Sequence, residues 1–159
     1  MATATVELIL ALRTTADRLR EGADYAWTHL GACNCGHLAQ TLTPYTRDQI
    51  HRFALQRPGD WAEQATEFCP ESGLPIDQIL ATMRSVGLSA EDIAHLERLS
   101  DPRVLLRLPP EIARTLNFRD RGHVVAYLCT WADLLETELP PPPLPIPAAS
   151  LPQVPRKAA

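Results

Sequence analysis

A chain of 159 residues with 45% hydrophobic side chains has the size of one globular domain and enough apolar material for its core. Its net charge of −4, with Lys and Arg scattered singly, excludes the clustered basic face that counterion release from nucleic acid requires. No run approaches the roughly 18 apolar residues of a membrane span, and the apolar stretch Val6–Leu12 lacks the basic n-region of a signal peptide. A cytoplasmic protein with neither nucleic-acid nor membrane partners is expected.

Taken in order, the first predicted element covers about residues 4 to 21. Ile9, Leu12, Ala16 and Leu19 recur at helical spacing, opposite Glu7, Thr14, Asp17 and Arg18. After Gly22 the chain passes Tyr25 and Trp27 into the stretch His29 to Gln40. A short helix is expected to begin near Cys35 and to end before Pro44. Thr46 to Gln49 fits a capping box opening a helix with Ile50, Phe53 and Ala54 inward. Asp60 to Glu63 repeats that logic, with Trp61, Ala65 and Phe68 on one face until Cys69-Pro70.

Pro75 sits where a helix starts, and Ile76, Ile79, Leu80, Met83 and Val86 form an apolar stripe ending at Gly87. Ser89 to Asp92 caps the next helix, giving an αα-hairpin. Brief helical turns follow Pro102 and Pro110, and the last long helix spans about Asp120 to Leu139, with Val124, Leu128, Trp131 and Leu135 inward. Eight of the fifteen prolines then fall between Pro140 and Pro155. No period-2 pattern of β-branched residues appears. The expectation is an all-α fold: a compact helical domain, residues 1–139, of about six to eight helical segments. An extended Pro-rich tail follows at 140–159, with a polyproline-like conformation suited to a partner's aromatic groove.

Chemistry concentrates between His29 and His37, where two thiols and two imidazoles fall within nine residues. In a reducing compartment such cysteines are free, metal-bound or catalytic rather than cross-linked. Cys33 and Cys35 on one loop, Cys69 from another and either His29 or His37 make a tetrahedral donor set for zinc or for iron, including an iron–sulfur cluster. Cys-x-Cys is shorter than the usual spacing of paired zinc cysteines. The alternatives are thiol or disulfide redox chemistry at Cys33/Cys35, with Cys69 resolving and the helix N-terminus favouring a thiolate, or a non-catalytic interaction protein. Cys129 lies off the apolar stripe of its helix. His51, His95 and His123 are expected in solvated or hydrogen-bonded roles, and Trp27, Trp61 and Trp131 in the core.

Trp27, His29, Gly31, Cys33, Asn34, Cys35, Gly36, Leu38, Ala39 and Gln40, at this spacing, resemble a motif of small bacterial proteins of uncharacterised activity. The likeness extends through Gly59-Asp60-Trp61, Cys69-Pro70 and Trp131 to Leu135. It implies a shared fold over most of the chain before the tail and adds no mechanism.

Overall fold

The computed structural model describes residues 1–142, and among them nine helices and no strands are found. They are α1 Val6–Arg20, α2 Asn34–Leu42, α3 Arg47–Ala54, α4 Trp61–Thr66, α5 Pro75–Ser85, α6 Ala90–Arg98, α7 Pro102–Leu105, α8 Pro110–Thr115 and α9 Arg121–Glu136. The all-α expectation holds. The count exceeds eight because α4, α7 and α8 are separate elements of four to six residues. The Pro-rich segment from residue 143 onward lies outside the described residues.

Side-chain caps set most of the helix starts. Thr46, Asp60 and Ser89 each close a reciprocal capping box with Gln49, Glu63 and Asp92. Proline at the first position opens α5, α7 and α8, where its missing N–H costs nothing.

α1 and α9 form the largest helix pair. They run antiparallel, because Arg13 near the middle of α1 pairs with Glu136 and Asp133 at the end of α9, while Arg121 at the start of α9 bonds the Ala23 carbonyl beyond the end of α1. The stripes read from periodicity are the buried ones: Ile9, Leu12, Ala16 and Leu19 of α1 face Val124, Leu128, Trp131 and Leu135 of α9, and the α5 stripe is buried throughout. At roughly 1.5 to 3 kcal/mol for each large apolar side chain removed from water, these stripes drive assembly. The α2 helix, which carries the cysteines, packs against α1, α3, α5 and α6. It is therefore central rather than peripheral.

Candidate functional site

The Cys/His stretch folds as a closed loop feeding α2. Ala26 N–H donates to the Ala32 carbonyl at 3.0 Å, and Ala32 and Cys33 both donate to the His29 carbonyl, at 2.8 and 2.9 Å. The loop lies so close to its neighbours that two glycines are required. A Cβ on Gly31 would enter the Arg47 carbonyl, and one on Gly36 would enter Leu30 and Gly31. Gln40 of α2 reaches back to donate to the Gly31 carbonyl at 2.7 Å.

Cys33 is the N-cap of α2. Its sulfur accepts from Gly36 N–H at 3.4 Å and donates to the Leu30 carbonyl at 3.6 Å. Trp61 Nε1 donates to that same carbonyl at 2.9 Å. Asn34 Nδ2 donates to the Leu96 and Glu97 carbonyls at the end of α6, at 2.6 and 3.0 Å, where the Leu96 carbonyl also accepts from Leu99 N–H at 3.3 Å. Cys35 donates to the Ile93 carbonyl of α6 at 3.6 Å. The Glu97 carboxylate accepts from Trp61 and Ala62 N–H, at 3.2 and 3.1 Å, where α4 begins. Three helix ends thus meet here, those of α2, α4 and α6, and each is satisfied by side chains of the others or of its own cap.

Both thiols are buried. Burial pushes the Cys33 thiol up to about 12, against a smaller lowering by the Gly36 N–H. Cys35 is pushed well above its ordinary value by burial and by the neighbouring Cys33. At neutral pH both are protonated, the reverse of the thiolate expected of an exposed helix mouth. Complete desolvation outweighs the helix N-terminus here, because the dipole effect is modest and burial acts on the whole charge. Glu97 is likewise raised by burial and by Asp60.

The two histidines differ. His37 is buried, with Arg18 donating to Nδ1 at 3.1 Å and Nε2–H donating to the Asp24 carbonyl at 2.9 Å. Burial, with Arg18 adding to it, lowers its pKa and keeps it neutral. His29 is partly exposed and stacks on His51, ring centroids 3.9 Å apart. Its Nδ1 accepts from Gly31 N–H at 3.2 Å, and His51 Nδ1 accepts from Leu30 N–H at 3.1 Å. Its Nε2 stands 3.5 Å from Asp48.

Cys69 is exposed beyond the end of α4. A partly buried network organises that turn: Arg57 makes two bonds to Asp77, at 3.0 and 3.1 Å, and two to Gln64, at 2.7 and 3.0 Å, while Ser72 donates to Asp77 at 2.5 Å. Cys129 is half-buried on α9, with Arg20 at 3.3 Å from its sulfur. The structure thus sets Cys33 and Cys35 at the start of α2, keeps His29 in the loop against His51 and His37 within α2 against Arg18 and Asp24, and leaves Cys69 exposed beyond α4. Among the described residues, no three His, Cys, Asp or Glu side chains converge where a metal ion could be held.

Asn34, Trp61, Glu97 and His51 carry as much of this assembly as the cysteines, and sequence reading gave none of them that role. Asn34, lodged between the two cysteines, carried a local signal. Glu97 stands at the end of a helix, an acid against the dipole, which marked it as needing an external partner.

Beside the junction a cleft of about 400 Å3 opens to solvent, lined by Trp27, Thr28, Leu30, Asp60, Glu97 and Arg98. Arg98 pairs with Asp60 at 3.2 Å and lies over the Trp27 ring, 5.8 Å from its centroid. Trp27, expected in the core, is only partly buried and rests on Phe118 at 4.2 Å. No family model matches the chain, and neither a curated protein nor a solved structure matches it. Among the described residues, no helix is long and apolar enough to cross a membrane.

Proposed function

We propose that the protein is a non-catalytic interaction module, in which the Cys/His stretch is a structural clasp and the adjoining cleft receives a basic side chain on a loop of a protein partner. One observation carries this choice over a metal centre or a redox thiol pair: the donor atoms of Cys33, Cys35 and His37 are already engaged inside the fold, with both thiols buried and protonated. A metal ligand or nucleophile needs its lone pair free and its thiol ionised.

Charge complementarity selects the occupant. The cleft holds two carboxylates, Asp60 and Glu97, against one guanidinium. Arg98 shows that a cation is accommodated over the Trp27 ring. A partner's Arg or Lys entering beside Asp60 would find both a carboxylate and an aromatic face.

The test is an NMR titration of the full chain with N-acetyl-arginine amide and, in parallel, N-acetyl-glutamate. The arginine probe is expected to move the Trp27 indole and Arg98 resonances saturably, and the acidic probe to leave them in place. Asp60→Asn, which keeps the N-cap oxygen, should weaken the arginine response about threefold or more. Identical responses to the two probes would overturn the reading. So would one zinc or iron per chain in protein purified without added metal, if Cys33→Ala or Cys35→Ala released it, and that result would restore the metal centre.

A further inference from the structure

At the other end of α6, a second cleft of about 420 Å3 is lined by Met1, Glu91, Asp92, His95, Asp101 and Arg103. We infer that it binds a primary ammonium group, with Asp92 as the central acceptor. This is independent of the cleft beside Trp27.

The carboxylate of Asp92 is 1% exposed, and its two oxygens are not equivalent. Oδ2 accepts from the N–H of Ser89 at 2.8 Å and from the Ser89 hydroxyl, completing the cap of α6. Oδ1 is buried and has no hydrogen-bond partner. A buried carboxylate oxygen left in that condition is costly, so the cleft it lines favours an added donor. The surroundings specify its charge. Glu91 and Asp101 add two more carboxylates. Asp101 spends one oxygen on Arg103 N–H at 2.8 Å, and the Arg103 guanidinium is engaged by Glu138. His95 Nδ1 is paired with Ser100 at 2.9 Å, and its Nε2 lies 3.8 Å from Glu91. The α-ammonium of Met1 stands 3.8 Å from Asp92 Oδ1 and 3.9 Å from Glu91. That is an ion pair too long for a hydrogen bond, so a ligand ammonium that donates to Oδ1 takes the place of the exposed Met1 ammonium beside it.

Three considerations single out a primary ammonium among cations. It can meet a single buried acceptor with one N–H at hydrogen-bond length and turn its other donors to the cleft and to solvent, whereas a metal ion needs several ligands drawn in to about 2.0–2.6 Å, and no such group is assembled among the described residues. A guanidinium wants both oxygens of one carboxylate, and Asp92 has only one to give. A quaternary ammonium wants a cage of Phe, Tyr or Trp rings, and none of these lines the cleft. The ammonium belongs either to a free diamine or to a lysine side chain, and the same chemistry serves both.

The full chain, labelled with 15N, is titrated with cadaverine, with N-acetyl-lysine amide and with an N-trimethylated cadaverine. Cadaverine or the lysine probe is expected to shift the Asp92, His95 and Asp101 amides saturably. The tighter of the two identifies the source. The trimethylated amine should bind about tenfold more weakly or worse, having no donor for Oδ1. Asp92→Asn keeps an acceptor for Ser89 and should weaken binding about tenfold or more. Glu91→Gln, at a mostly exposed position, gives a smaller loss of about threefold and provides the test should Asp92→Asn fail to fold. Absence of saturable shifts with both primary amines would overturn the inference. Equal binding of the trimethylated amine, or binding unchanged in Glu91→Gln and in any folded Asp92→Asn, would do the same.

Discussion

Replacing Asn34 by alanine probes the junction where three helix ends meet. Its amide donates to the Leu96 and Glu97 carbonyls, both bonds buried. Truncation leaves the Glu97 carbonyl without a partner in a place water does not reach, and the Leu96 carbonyl with only the Leu99 N–H at 3.3 Å. The orphaned acceptor costs about 1–3 kcal/mol and the second lost bond about 1 kcal/mol. Asn34 Oδ1 is itself buried and unpaired in the native fold, so its removal returns about 1 kcal/mol. The net loss expected is about 1–3 kcal/mol. With an m-value of about 2 kcal/mol/M in urea, the unfolding midpoint should fall by about 0.5–1.5 M at unchanged slope. Asn34→Asp separates hydrogen bonding from volume. Its carboxylate faces two carbonyl oxygens at neutral pH and should destabilise at least as much as alanine, while acidification restores a donor and recovers part of the loss. A midpoint within 0.3 M or so of wild type for Asn34→Ala would refute the reasoning, since a loss below about 1 kcal/mol means the carbonyls find other partners.

Thiol labelling of the folded protein, read by mass spectrometry, should modify the exposed Cys69 first and the half-buried Cys129 second, leaving Cys33 and Cys35 unmodified until unfolding. Labelling of Cys33 at the rate of Cys69 would mean the clasp opens. Gly36→Ala forces a Cβ into the backbone of Leu30 and Gly31 and should cost about 3 kcal/mol in urea titration; a loss under half of that would count against the close approach. Stability should also fall on mild acidification. His29 and His37 are both held below the ordinary 6.5, chiefly by burial, so the unfolded chain takes up protons first. The stabilisation is complete above about pH 6.5 and is lost as pH falls through the folded pKa values. Urea midpoints measured from about pH 7.5 to about pH 5.5 should decline, less steeply in His37→Gln; parallel slopes would remove His37 from the effect.

The helices were legible because their signals are local. Ile76, Ile79, Leu80 and Met83 repeat at helical spacing whatever they pack against, and Thr46, Asp60 and Ser89 announce helix starts through partners three residues away. The junction was half legible. That Cys33 and Cys35 sit at the mouth of α2 follows from Pro44, which bounds the short helix read from about Cys35. That they are buried there does not, because burial is decided by Ile93 and Leu96, some sixty residues onward. His51, read as a solvated or hydrogen-bonded side chain, is the stacking partner of His29 and accepts from Leu30 N–H. Its mixed helical face gave no hint of the loop that covers it. Cys69 lay near a helix exit as expected, but its turn is anchored by Arg57 and Asp77, whose pairing spans twenty residues and leaves no periodic trace.

The composition of the stretch follows from what a helix N-terminus needs in a dry interior. The first N–H groups of α2 require an acceptor, and the strongest N-cap, aspartate, would set a second carboxylate beside the buried Glu97. A thiol accepts from Gly36 without adding charge, donates weakly to Leu30 and packs as a small apolar group. The charge that the junction does contain is placed where N–H groups of α4 meet it, on Glu97. Gly31 and Gly36 let the loop and helix approach, and Asn34 donates to two carbonyls at the end of α6. Cys33 and Cys35, which suggest metal chemistry in the sequence, therefore answer a capping and a packing demand in the fold, and the burial that comes with it keeps both thiols protonated. The signature that separates such a clasp from a ligand set is the buried partner, Glu97 and the α6 carbonyls, rather than the cysteines themselves.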